Sequence, residues 1–291
     1  MNFKGIICSD FHLTERIPPC RKENKIEWIQ HQINTIAFIV DCALDFNCNI
    51  YFCGDFFDTY IIEWELLNLI FSEIQRLKQK DLNFYFIVGN HDLLYHNILN
   101  KFKGPIGLLF HMQHLFKDLT FYKNGISAAH YGENYLLNKE SEIIFMHQLV
   151  TNQKIDIFDN AVFAGDLLDQ YKKAKIIFTG DNHINFIFKS GNRCVINPGC
   201  ITRQESSLAE YNPLFYYIHM NGEIDIQEIL INDEEIRIDF TKHEKKSSIE
   251  KLDFKVIDIF DFRKTALRES ERKLKKNELW RIPHNRIEEI V

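Results

Sequence analysis

Apolar residues along this chain follow two rhythms. In the first third, short continuous apolar runs at 3–8, 50–53 and 84–88 are separated by longer stretches with helical spacing. Trp28, Ile29, Ile33, Ile36, Ala37, Val40 and Leu44 recur over 23–46, and Leu66, Leu67, Ile70, Ile74 and Leu77 recur over 61–80. Recurrence at three to four residues places one apolar face on a helix, while a short solid apolar run reads as a buried strand. The order is therefore β-α-β-α-β. Pro18-Pro19 interrupts the loop before the first helix, and Gly104-Pro105-Ile106-Gly107 marks a turn in the mixed stretch 97–116. Beyond it the rhythm changes. Residues 120–122, 126–131, 143–146, 176–178, 186–189, 194–196 and 214–220 read as strands, with 225–230 adding another. Strand runs following β-α-β units predict an α/β protein whose two sheets pack face to face between helices.

Polar residues capable of holding metal stand where the apolar runs end. Asp10-Phe11-His12, Gly54-Asp55, Gly89-Asn90-His91-Asp92 and Gly180-Asp181-Asn182-His183 each follow a strand-like run, and His147 follows 143–146. Loops at the carboxyl ends of α/β strands converge, so residues far apart in sequence meet there. Two divalent cations about 3.5–4 Å apart can hold a phosphate, acidify a water and shield both attacking and leaving oxygens. Such a pair needs a bridging carboxylate, for which Asp55 is the natural candidate. The mixture of imidazole and oxygen ligands suits Mn, Fe or Zn rather than Ca. No spacing for a structural Cys/His zinc site is present.

These clusters resemble the calcineurin-like metallophosphoesterase superfamily, whose pattern is D-x-H, G-D-x-x-D, G-N-H-D, a lone His, then G-H-x-H. The resemblance runs from Asp10 to His183 and continues through Val195-Ile196-Asn197-Pro198-Gly199-Cys200-Ile201-Thr202-Arg203. That continuation and the compact spacing are most similar to the nuclease subunit of the phage and bacterial SbcCD complex. The resemblance implies a four-layer sandwich of two mixed β-sheets flanked by helices. It places Asp10, His12 and His183 on a first metal, Asp55 between two metals, and Asn90, His147 and Asp181 on the second. Manganese is the first expectation for both ions, with Mg, Fe or Zn as alternatives. His91 would act on the phosphate or the leaving oxygen, oriented by Asp58, since a carboxylate fixes an imidazole's tautomer and raises its basicity. One position departs from the pattern: Asp181 stands where the family has His. Asp serves Mn, Fe or Mg as a ligand; the opposite reading leaves the second metal weak or absent.

Composition adds limits. The 291 residues suffice for one large core with a small appendage. We divide the chain into a catalytic domain at 1–232 and a strand/helix appendage at 233–291, with alternating apolar residues at Ile236, Ile238 and Phe240 and a charged helix at 262–280. Residues 241–291 hold 14 Lys and Arg against 10 Asp and Glu, although the whole chain carries a net charge of −6. An acidic body argues against a strong nonspecific grip on DNA by this chain alone. The basic tail then reads as a solvated face, or as a docking or DNA-contacting element. Seven scattered Cys, no signal-like start and no membrane-length apolar run fit a cytoplasmic protein with reduced thiols. Without a P-loop, ATP hydrolysis needs a separate chain.

Three functions remain open at this stage. One is a DNA exo/endonuclease working with an SMC-like ATPase subunit, with a homodimer as a further form of assembly. The second is a phosphomonoesterase or cyclic-nucleotide phosphodiesterase acting on a small substrate. The third is a non-enzymatic scaffold. Gly165-Asp166-Leu167-Leu168-Asp169 mimics the Gly54-Asp55 motif but falls in a stretch that reads as a helix, so it is set aside. His111, His114 and His130 read as surface or packing residues.

Overall fold

The computed structural model describes residues 3–121, 125–154, 161–205, 208 and 211–229. The appendage expected at 233–291, with its strand and charged helix, lies outside the described residues.

The chain opens with strand β1 (Gly5–Cys8), helix α1 (Lys25–Phe46), β2 (Asn49–Phe52), α2 (Trp64–Gln75) and β3 (Phe84–Phe86). Helix α3 (Ile106–His111) and strand β4 (Phe116–Asp118) follow, then β5 (Ile126–Ala129), β6 (Ile143–Met146), β7 (Val150–Thr151) and β8 (Val162–Phe163). The described part ends with α4 (Ala164–Gln170), β9 (Ile176–Phe178), β10 (Phe186–Ser190), β11 (Arg193–Asn197), β12 (Leu214–Ile218) and β13 (Ile224–Glu228). The first sheet runs β13-β12-β1-β2-β3-β4, with β1 to β4 parallel and β12 and β13 antiparallel at one side. The second runs β10-β11-β9-β6-β5, all parallel except β10.

Alternation along the strands builds the layers, because successive side chains point to opposite faces. Ile7, Tyr51 and Ile87 from the first sheet meet Ile143, Phe145, Phe178 and Ile196 from the second in one buried cluster. Their neighbours Ile6, Ile50, Phe52 and Phe86 face the other way and pack with Ile36, Val40, Leu66 and Ile70 of α1 and α2. On the far side Ile144, Met146, Ile177 and Val195 pack with Leu167 and Leu168 of α4. The result is helix, sheet, sheet, helix, as the strand pattern implies. Among the described residues, no helix is long and apolar enough to cross a membrane.

Helix α1 starts at a capping box. The Asn24 side chain accepts from the Glu27 amide at 3.0 Å, and the Glu27 carboxylate accepts from the Asn24 amide at 2.9 Å. Two buried polar residues of this helix reach out to the loop after β1. Gln32 accepts from the Thr14 amide at 2.9 Å and donates to the Thr14 carbonyl at 2.8 Å, which also receives the Trp28 indole N–H at 2.8 Å. The loop carrying Asp10 and His12 is therefore bolted to a helix.

One expected strand is absent. Residues 120 and 121, the described part of the stretch 120–122, lie in a short 3₁₀ turn, Leu119–Phe121, and the edge strand is β4, slightly earlier. The Asp118 carboxylate explains the break, because it accepts from both the amide and the hydroxyl of Thr120, at 2.9 and 2.7 Å. A side chain that captures the next amides competes with the ladder.

The inter-sheet cluster should carry much of the stability. Phe145, fully buried, should destabilise the fold by about 3–5 kcal/mol when replaced by Ala. Asn24→Ala, which removes only the cap, should cost about 1 kcal/mol. Urea denaturation, with slopes compared to the parent chain, measures both; equal losses would place the core elsewhere.

Candidate metal centre

The loops after β1, β2 and β3 are tied to one another. After β1 and β2, the Asp10 amide donates to the Gly54 carbonyl at 3.0 Å and the His12 amide to the Asp55 carbonyl at 3.1 Å. After β3, the His91 amide donates to Asp55 Oδ1 at 2.9 Å. Asp92 bridges the same loops, one oxygen accepting from the Phe57 amide and the other from the Gly89 amide, both at 2.9 Å. Burial pushes the Asp92 carboxyl up to about 7, with the nearby Asp55 charge adding to the rise. Glycine is required where the loops touch: a Cβ on Gly89 would lie 2.0 Å from Asp55 Oδ1, and one on Gly54 2.3 Å from His147 Nδ1.

The backbone is bent to aim these residues. Asp10, His12, Asp55 and Asp181 all have positive φ, at 51°, 46°, 59° and 75°, and make up half of the eight such non-glycine residues described. Left-handed conformations cost on the order of 1–3 kcal/mol per residue and persist only where the surroundings impose them. Their concentration at candidate ligands marks this as the functional end of the sheets.

Three imidazoles turn the same atom inward. His12 Nε2 and His183 Nε2 stand 3.1 Å apart, and His147 Nε2 lies 2.8 Å from Asn90 Oδ1 and 3.2 Å from Asp55 Oδ2. The His147 Nδ1–H donates to the Cys53 carbonyl at 2.7 Å, which turns Nε2 toward the Asp55 carboxylate and the centre. Behind His12 Nδ1 stands an Asp58 carboxylate oxygen at 3.7 Å, and behind His183 Nδ1 a Glu205 oxygen at 3.6 Å. Asp10, His12 and His183 form one group of converging donor atoms, and Asp10, Asp55 and His147 a second. Asp181 reaches the second group only at its margin, 3.9 Å from His147 Nε2. Its amide, by contrast, donates to Asp10 Oδ1 at 3.0 Å, so its backbone fixes one ligand while its carboxylate stands beside the others.

The donor set fits divalent cations. Asp10 Oδ2 and Asp55 Oδ2 are buried without a hydrogen-bond partner among the described residues, and unpaired buried carboxylate oxygens are costly unless a cation meets them. Burial pushes the Asp10 carboxyl up to about 6 against the pull of His147 and His183. Burial also opposes charge on His147, yet Asp55 outweighs it and raises that ring to about 10; His183 rises to about 9 through Glu205 and Asp10. Asp55 is held below the usual carboxylate range, because His147 and His12 outweigh its burial. His12 goes the other way, pushed down to about 3 by burial. The field of the cluster thus favours positive charge at its centre, with a neutral imidazole ready beside it.

His91 lines the cleft next to this centre. Its Nδ1 lies 2.9 Å from the Asp58 backbone carbonyl, and the Asp58 carboxylate converges with both His12 and His91. The carbonyl accepts the Nδ1 proton and so fixes the tautomer by itself, leaving Nε2 to face the cleft. His111 and His114 are exposed. His130 is structural, accepting from the Val88 amide at 3.1 Å and meeting Asp118 at 3.5 Å. Asp166 and Asp169 sit exposed on α4, away from the strand tips.

Several positioning residues were invisible in the ligand motifs. Asn197 donates to the carbonyls of Asn182 and Ile184 and accepts from Thr179 at 3.1 Å, holding the loop that presents His183. Gly199, at φ 72°, lets the Cys200 amide reach the His183 carbonyl at 3.1 Å. Arg203 turns inward to the Tyr211 carbonyl and to Asn212, and is buried. The segment 195–203 supplied the signal, but not these roles.

A search of curated proteins gives no match. Among solved structures, an archaeal phosphodiesterase aligns over 78% of this chain and 100% of its own, with 14% identity and a TM-score of 0.43. A Staphylococcus aureus protein assigned as a 5′-nucleotidase aligns over 80% of this chain and 56% of its own, with 11% identity and a TM-score of 0.39. A predicted phosphoesterase from Streptococcus pneumoniae aligns over 78% and 96%, with 14% identity and a TM-score of 0.31. The family comes from elsewhere: the model for calcineurin-like phosphoesterases matches residues 3–185. That span covers more than half of the chain and holds the seven candidate ligands with His91 and Asp58, so the chain belongs to the calcineurin-like phosphoesterase family.

Proposed function

We propose that this metal-dependent phosphoesterase is a phosphodiesterase acting on DNA, the nuclease subunit of an SbcCD-type assembly with a separate SMC-like ATPase. The carrying observation is the pair of donor groups that share Asp10 beside His91. Asp10, His12 and His183 would hold one cation, Asn90, His147 and Asp181 the other, and Asp55 both. When bound, two such cations supply a phosphate clamp, a more acidic water and shielding of the developing charge; manganese suits this set of carboxylate, amide and imidazole donors.

The protein's own part is positioning. The Asp55 carboxylate is fixed through Oδ1 by the His91 amide, so its Oδ2 is the atom turned to the centre. His91, its Nδ1–H held by the Asp58 carbonyl, would in its imidazolium form present the Nε2–H as the proton donor for the leaving oxygen. The DNA reading is supported by the resemblance of the compact motif spacing and of Asn197-Pro198-Gly199 to SbcCD-type nucleases. A second reading, a small phosphoester as substrate, is favoured by one observation. Among the described residues lining the cleft, Arg16 is the only Lys or Arg, which is sparse for a strand-binding groove. Nuclease assays on linear single- and double-stranded DNA, beside bis(p-nitrophenyl) phosphate, decide between them. Cleavage of the small diester without any DNA cleavage, with and without the ATPase, would select the second.

Asp55→Asn should lower turnover on the order of a thousandfold or more while leaving thermal unfolding of the metal-free chain near that of the parent. Near-normal turnover in a folded mutant would remove Asp55 from the centre.

His91→Ala should lower kcat by about 10²–10⁴ with metal content retained, as read by atomic emission after gel filtration. Asp58→Asn keeps the carbonyl that orients His91, so its kcat defect should be smaller, and weaker metal uptake through His12 should accompany it. If His91→Ala strips both metals, that division of roles is wrong.

Gly89→Ala drives a methyl into the Asp55 carboxylate. Metal affinity measured by calorimetry should fall sharply although the mutation adds no charge. Gly132→Ala, where a Cβ meets nothing within 4 Å but φ is 78°, should cost stability through backbone strain while leaving that affinity unaltered, and serves as the control.

A further inference from the structure

Resting on the phosphodiester reading above, we propose that Arg16 forms a second phosphate subsite, which takes the phosphate next to the scissile one on a polynucleotide strand. Arg16 lines the cleft that His12, His91 and His183 also line. The residues lining the cleft are of two chemical kinds. The imidazoles and the Asp58 carboxylate belong to the metal centre, while Thr14, Arg16, Pro18, Thr202, Gln204 and Leu208 line the cleft without being candidate ligands. Among the described lining residues, Arg16 is the only Lys or Arg.

The other polar groups there do not compete for the role. Gln204 uses both amide hydrogens within the protein, on the His12 carbonyl at 2.7 Å and on Thr202 Oγ1 at 3.0 Å. Asp58 and Glu205 are carboxylates and repel a phosphate. Arg16 springs from a fixed base: its amide donates to Thr14 Oγ1 at 3.2 Å, and Thr14 is held by Gln32 and Trp28 of α1. Pro18 and Pro19 stiffen the chain just beyond it.

The substrate consequence follows from geometry. A phosphomonoester or an isolated diester places its single phosphate at the metal end and gains nothing from Arg16. A strand brings another phosphate along the same cleft, where a guanidinium can hold it with two parallel N–H···O bonds. Arg16 then distinguishes a strand from a small ester, although the body of the protein is acidic.

Two measurements test this in the full-length chain with manganese. The first is calorimetric binding of thymidine 3′,5′-bisphosphate and thymidine 5′-monophosphate to the parent, Arg16→Ala and Arg16→Lys. The parent should prefer the bisphosphate, Arg16→Ala should reduce that preference about tenfold or more, and Arg16→Lys should restore part of it, with manganese content retained throughout. The second is cleavage of oligothymidylate and of bis(p-nitrophenyl) phosphate, where the loss in kcat/KM for Arg16→Ala should be about tenfold or more greater on the strand. Equal losses on both ligands or both substrates, or no loss on either, would overturn the subsite. A parent enzyme that shows the Arg16-dependent bisphosphate preference but cleaves neither diester would sink the phosphodiesterase reading and leave the subsite standing.

Discussion

Two carboxylates with no access to water, Asp10 and Asp55, are held side by side at the tips of adjacent parallel strands. Like charges in a low-dielectric site repel, and each carboxylate leaves one oxygen unpaired among the described residues. Much of the local structure can be understood as what keeps that pair in place. Amide–carbonyl bonds lace the β1 loop to the β2 loop, Asp92 clamps the β2 loop to the β3 loop, and left-handed backbone at Asp10 and Asp55 points the side chains inward. Imidazoles and an asparagine then surround the pair with donors able to complete a cation's coordination.

The strand tips contribute chemistry because the strand interiors contribute none. Along β1, β2 and β3 nearly every side chain is spent on one of two apolar layers. The last residues of those strands have no more core to fill, and there the polar residues begin. A parallel arrangement brings four such ends of the first sheet to one edge, and the second sheet offers those of β5, β6, β9 and β11.

What could be read from the sequence depended on range. Helix α1 was legible because its spacing, its Asn24 cap and its ending all lie within a few residues of one another. The converging polar side chains stood out for the same reason: Asp10 and His12, or Asn90 and His91, are neighbours in short motifs. The sandwich followed from alternation within each strand. By contrast, edge strand β4 was misplaced, because the choice between strand and turn at 116–121 depends on Asp118 capturing Thr120. The carbonyl that holds His91 Nδ1 could not be read, because a backbone group leaves no mark on residue type. Asn197, Gln32 and Asp92 act across 13–35 residues, and a motif read locally carries no such distance.

The donors of this centre belong to two different sheets: Asp10, His12, Asp55 and Asn90 follow strands of the first, and His147, Asp181 and His183 strands of the second. Between the sheets lies an apolar layer, which resists separation but is indifferent to direction. Cations gripped from both sides would act as a rivet through that layer, fixing the register of one sheet on the other. Binding that favours the folded state adds stability in proportion to the logarithm of free metal over its dissociation constant. The mechanical integrity of the sandwich would thereby be coupled to the ions in its surroundings, and a chelator would loosen the fold as well as silence the site.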